Sequence, residues 1–223
     1  MFDRPTLVAS HVRRAPLGTV LAAAAVGGCA VLIRALTVDT SRDVLQFARL
    51  SAVLIAAAAA AAMENTSAPI TNTASLPRSV SLWLSAAITG LAAIVMWVGP
   101  VMLSGTLVGD GSGLPLGGLL IEFVALLVVG WLLTESVTRV RGPVAAGTAA
   151  GALLLLGVIT TLMTPHTIEW LWRGPDPHWW RIHLRWALIA VVAGALLGLS
   201  ARDAAAGRPS IRRVHPASVL EKL

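Results

Sequence analysis

The chain of 223 residues has no tyrosine, one cysteine and a single lysine, and only 13% of its residues are charged. Each shortage excludes something. With one cysteine, Cys29, no internal disulfide and no cysteine-rich metal site can form, and a lone cysteine within an apolar stretch reads as a small packing residue. The only lysine is Lys222, at the second-last position, so a phosphate-binding loop of the GxxxxGK[ST] kind is ruled out. The sequence contains no HExxH, no CxxC and no serine set in a glycine elbow; Gly111-Ser112-Gly113 is a fragment of such an elbow inside a glycine-rich turn. The shortage of charge is the most decisive of these. A soluble domain of this length needs more charge to cover its surface, whereas this chain is 56% hydrophobic with a mean hydropathy of +0.78.

What is present is a series of apolar runs. Crossing about 30 Å of hydrocarbon takes roughly 20 mostly apolar residues in a helix. Six stretches come close: 17–36, 47–63, 80–103, 114–134, 143–163 and 186–200. The runs are continuously apolar and do not alternate, which favours helices over a barrel. The second and sixth are short, and flanking Arg49 and Arg185 are expected to snorkel to the interface. Arg13 and Arg14 precede the first run in the order of a signal peptide, but its length and the runs that follow favour a retained span. The expected fold is an all-α integral membrane protein forming a single transmembrane domain of six helices.

The arginines orient it. With the N-terminus inside, eleven basic residues fall on the cytoplasmic side and six outside, which places both termini in the cytoplasm of a cell inner or plasma membrane. The net charge of +6 belongs to this asymmetry and not to nucleic acid, since no basic face is interleaved with aromatics. Residues 6–14 (TLVASHVRR) fit a short interfacial helix, and 201–223 form a basic cytoplasmic tail broken by Pro209 and Pro216. Gly147/Gly151 and Gly194/Gly198 put small residues four apart, a spacing that lets helix backbones approach closely.

Few residues can carry chemistry. Glu122 is the one carboxylate deep in an apolar run, and Arg34, at compatible depth, is its expected partner. Two kinds of role are open: a proton or cation site, or a polar patch on a translocation path; and, against these, a protonated or helix-paired structural glutamate. His178 and His183 are five apart, a poor same-face spacing for a metal, and read as interfacial. Residues 164–186 hold five of the eight tryptophans, with Gly174, Pro175 and Pro177 dividing the segment into two half-helices on the outer leaflet. Glu169, Trp170, Trp172, Trp179 and Trp180 are the candidates for an outer gate or an aromatic belt.

The polar segment 64–79 falls on the cytoplasmic side. Asn65, Thr66 or Ser67 can cap a short helix, Pro69 fits an early helical position, and Pro77 ends it. The whole arrangement resembles the membrane subunit of an ABC transporter of the drug and polysaccharide exporter type, in its small actinobacterial form. Six spans, a basic N-terminal piece and a long outer segment before the last span carry the likeness in topology. In sequence it rests on Glu64, Pro69, Thr71, Thr73, Pro77 and Arg78: an acidic residue after the second span, a threonine- and proline-containing loop, then proline and arginine. The chain is shorter than most members and has a single arginine after the proline.

The resemblance implies that residues 65–78 form a coupling helix seated on a separate ATP-binding subunit, which holds the ATP and Mg²⁺. It further implies no catalytic residue or cofactor in this chain, pairing with a second copy or a homologous permease, and export of an amphipathic small molecule, lipid or peptide. Two other classes stay open: a secondary transporter or channel using Glu122, and a non-transport membrane scaffold or regulatory subunit.

Overall fold

The computed structural model describes residues 17–37, 41–63, 78–108, 114–142, 145–163 and 179–206. These form six helices: α1 (Leu17–Thr37), α2 (Ser41–Ala62), α3 (Arg78–Leu107), α4 (Leu116–Arg141), α5 (Ala146–Met163) and α6 (Trp179–Ala206). No strand occurs among the described residues. Five of the helices are long and apolar enough to cross a bilayer, and α5 is the shorter one, apolar over Ala146–Thr161. The chain is a multi-pass membrane protein, and its outer faces display Leu91, Val95, Leu156, Leu188 and Val191 where a soluble protein would place charge.

The bundle is built around α2, the most buried of the five long helices, whereas α6 is the least buried. α2 packs against α1, α3, α4 and α5, while α6 lies on α4 and α3. The reason α2 takes the centre is its side chains. The residues of its alanine run leave room for neighbouring backbones, and each of three neighbours offers a glycine. A Cβ on Gly27 of α1 would lie 2.8 Å from Ser51 Cβ, one on Gly130 of α4 3.2 Å from Ala60 Cβ, and one on Gly151 of α5 2.8 Å from the Ala57 carbonyl. Such small-residue contacts replace the hydrophobic drive that lipid cannot supply. Of the two small-residue pairs named above, Gly151 sits at a close backbone contact. Gly194 and Gly198 meet only ordinary contacts, at 3.8 and 3.9 Å.

Two helix starts lie six and seven residues ahead of the expected spans. α2 begins at Ser41 and not Phe47. Asp43 in its first turn meets the positive end of the helix dipole and bonds Arg34, in the last turn of α1, at 3.0 Å. Charges that look like loop in a hydropathy scan therefore belong to the helix. α6 begins at Trp179 and not Trp186. Ile182, His183 and Trp186 are buried there at helical spacing, so this stretch belongs to the core, not to an aromatic belt alone. Cys29, expected to pack inside, is exposed on α1.

The end of α2 that leads to residue 64 is tied to its neighbours. Thr134 Oγ1 of α4 donates to the Ala60 carbonyl at 3.2 Å and to Gly130 O at 3.0 Å. Arg139, paired with Glu135 at 3.2 Å, donates to the Ser200 carbonyl of α6. Thr134→Val keeps the shape but removes the interhelical bond; unfolding in detergent should show a loss of about 0.5–1.5 kcal/mol.

Candidate functional site

Three charged or ionisable side chains meet inside the bundle. Arg49 lies eight residues into α2, Glu122 six into α4 and His183 four into α6. At about 1.5 Å per residue, each is roughly 6–12 Å from the start of its helix. They sit on the inward stripe of their helices, next to Leu45, Ala48 and Ala52 on α2, Leu119 and Phe123 on α4, and Ile182 and Trp186 on α6.

The geometry is that of a closed ion triad. Arg49 Nε donates to Glu122 Oε2 at 2.8 Å and Nη2 to Oε1 at 2.7 Å, a bidentate pair. His183 Nε2 lies 3.1 Å from the same Oε1, and its Nδ1 2.8 Å from the Trp179 carbonyl. Arg49 is 3% exposed, Glu122 1% and His183 5%. The Trp179 ring completes the enclosure: the Arg49 guanidinium lies 5.5 Å from its centroid and the His183 ring 4.1 Å. Isolated, a charge on any one of these buried side chains would cost several kcal/mol. Together they satisfy one another.

The support beneath the triad is equally specific. Trp97 of α3, 2% exposed, donates from Nε1 to the Ala48 carbonyl and to Ser51 Oγ, both at 3.1 Å. Its ring packs on Phe123 at 4.8 Å. Trp97 thus braces the residues beside both Arg49 and Glu122. On α4, Gly118 lies directly under the imidazole, where a Cβ would overlap His183 Nε2.

Against the expected sites, Glu122 does have a basic partner, but it is Arg49 and not Arg34. Arg34 bonds Asp43 and stacks over Phe47 at 5.6 Å, at the end of α1. Arg49 does not snorkel: its guanidinium turns inward because a carboxylate waits on the adjacent helix. His183 is buried in the core of the bundle. Trp179 stands against the triad, whereas Trp180 is 61% exposed and faces outward. Glu169, Trp170, Trp172 and the loop residues Glu64, Asn65, Thr66, Pro69, Thr71, Thr73 and Pro77 lie outside the described residues. So do residues 6–14, the proline-broken segment 164–178 and the tail from residue 207. Arg78 is the first residue of α3. Among the described residues no group of three or more His, Cys, Asp or Glu is placed to hold a metal ion.

Arg49 and His183 could have been found from helical periodicity. Leu45, Ala48, Arg49, Ala52 and Ala56 share one face, as do Trp179, Ile182, His183 and Trp186. An ionisable residue on an apolar stripe needs a partner at the same depth, and the three even-numbered helices supply one another. Hydropathy windows hide this because they assign charged helix starts to loops. No protein-family model, no curated protein and no solved structure matches the chain.

Proposed function

We propose that this chain is the membrane-embedded subunit of an ATP-driven exporter of the ABC kind. A separate ATPase, holding ATP and Mg²⁺, binds at residues 64–78, and two copies of the chain, or one copy and a homologue, enclose the path. All six helices then cross the membrane, with both termini cytoplasmic. The cargo is an amphipathic small molecule, lipid or peptide.

The observation that carries the reading is the position of α2. It is the central helix, it touches four others, and it runs unbroken from Arg49 to the end that enters residue 64. Ala62, the last residue of α2, lies thirteen positions beyond Arg49, about 20 Å of helix. A push on the loop is therefore delivered along a rigid rod to the ion triad that joins α2, α4 and α6. The Thr134 bond at Ala60 passes the same push to α4.

A secondary transporter or channel built on Glu122 is less well supported, because both carboxylate oxygens are committed to Arg49 and His183. It would need a pH-gradient-driven flux, indifferent to ATP and abolished by Glu122→Gln.

The docking test is co-purification. Replacing residues 65–77 with a glycine-serine linker, or changing Glu64, Thr71 and Arg78 together, should abolish recovery of the ATPase while membrane insertion is unchanged. Undiminished recovery of the ATPase with the loop replaced would overturn the reading.

A further inference from the structure

The hydrogen atoms of the triad do not balance with a neutral imidazole beside an ionised carboxylate. A backbone carbonyl only accepts, so the 2.8 Å contact between His183 Nδ1 and Trp179 O places a hydrogen on Nδ1. The other ring nitrogen faces Glu122 Oε1 at 3.1 Å. Arg49, always protonated, already donates twice to that carboxylate. Were Nε2 and Oε1 both bare, two lone pairs would face each other in a buried contact. The contact closes only when one further hydrogen lies between them.

We propose that His183 Nε2 and Glu122 Oε1 form a binding site for a single proton, and that its occupancy latches α6 onto α2 and α4.

The surroundings make α6 the element that responds. It is the least buried of the five long helices. It is held near its start by the triad and near its other end by Arg139, which donates to Ser200 O. The second tie does not involve the imidazole, so losing the proton weakens the hold on the start of α6 and leaves the Ser200 end tied.

The electrostatic neighbourhood is sparse among the described residues. α2 contributes Arg49, with Arg42 and Asp43 at its first turn; Asp43 is bonded to Arg34 of α1, whose only other ionisable group is Cys29. α4 has only Glu122 between residues 116 and 134, with Glu135, Arg139 and Arg141 at its far end. α6 adds Arg181 and Arg185 on either side of His183. α3 offers none between 79 and 107, and α5 none at all. Arg49 is thus the fixed charge in contact with the site, and the transferable proton lies between His183 and Glu122.

The test uses the full chain, ¹⁵N-labelled at histidine, in phosphatidylcholine nanodiscs, with the His183 signals assigned by their loss in His183→Gln. Spin labels on Leu120→Cys and Leu184→Cys in a Cys29→Ser background report the distance between the starts of α4 and α6. Both ring nitrogens of His183 should be protonated in acid. One proton should be lost as pH rises, and the distance should lengthen over the same interval. In His183→Gln the amide donates to Glu122 at every pH, so the short distance should persist. A distance that ignores pH in the unsubstituted bundle overturns the latch, as does a His183→Gln variant that responds like the parent. An unprotonated Nε2 while the helices are close overturns the site itself. Should His183→Gln fail to insert, the ring titration and the distance in the parent decide together. The ATPase takes no part in this experiment, so its outcome is separate from that of the docking test.

Discussion

Arg49→Met should be the most damaging conservative-volume change in the described bundle, costing about 3–5 kcal/mol in reversible unfolding from detergent. The magnitude follows from what is left behind. Removing the guanidinium strips two charge-assisted bonds from Glu122 and leaves a carboxylate 1% exposed with only His183 beside it. It also removes the cation from the Trp179 ring. The loss should be smaller when the stranded partner is removed too. Arg49→Met with Glu122→Leu and His183→Leu exchanges the whole triad for apolar volume and should recover most of the stability, or exceed the parent. A thermodynamic cycle over Arg49 and Glu122 should then show a coupling of about 1–3 kcal/mol. If the single and triple variants are equally unstable, the triad is not an energetic unit. A triple variant that is stable yet keeps α4 and α6 together at every pH would separate the role of these charges from the fold: apolar residues hold helices together, but they carry no exchangeable proton.

How much of this was legible from residues alone divides along a physical line. Helix class and the approximate positions of the runs follow from hydropathy, because 20 apolar residues in lipid have few alternatives. Helix starts do not, because windows penalise Arg42, Asp43, Arg49, Arg181 and His183 as if each met lipid. In the folded bundle Asp43 meets Arg34, and Arg49 and His183 meet Glu122. Glu122 stood out because it is alone in its run. Its true partners did not, since pairing is decided by helix packing and depth is only one coordinate. Arg34 matched Glu122 in depth yet lies on α1, a helix that packs on α2 and α3. The centrality of α2 was also hidden. Its alanine run reads as weakly apolar, but smallness and not hydropathy puts it in the middle, against Gly27, Gly130 and Gly151. Gly118 carried no signal at all, for its role appears only when α6 lies across it.

Adjacent glycines on α4 should therefore respond in opposite directions. Gly117 faces open space, with nothing within 4 Å of an added Cβ. Gly117→Ala should be neutral or stabilising by up to about 1 kcal/mol, since alanine loses less backbone freedom in a helix. Gly118→Ala puts its methyl on His183 Nε2. The imidazole cannot simply step aside, because Nδ1 is bonded to Trp179 O on its own helix and the ring is packed against the Trp179 indole. Either α6 moves away from α4 or the ring leaves Glu122. The first is an overpacking cost of roughly 1–3 kcal/mol; the second forfeits a hydrogen bond to a charged group, about 1.5–3 kcal/mol. Paired unfolding measurements on the two variants in the same detergent check this, and equal effects would mean that His183 does not sit over Gly118. The comparison also tells a positional role from a volumetric one. His183→Gln should lessen the penalty of Gly118→Ala, because a glutamine side chain can bend around a methyl that a ring cannot. No such rescue is expected if the alanine acts only on the α4 backbone.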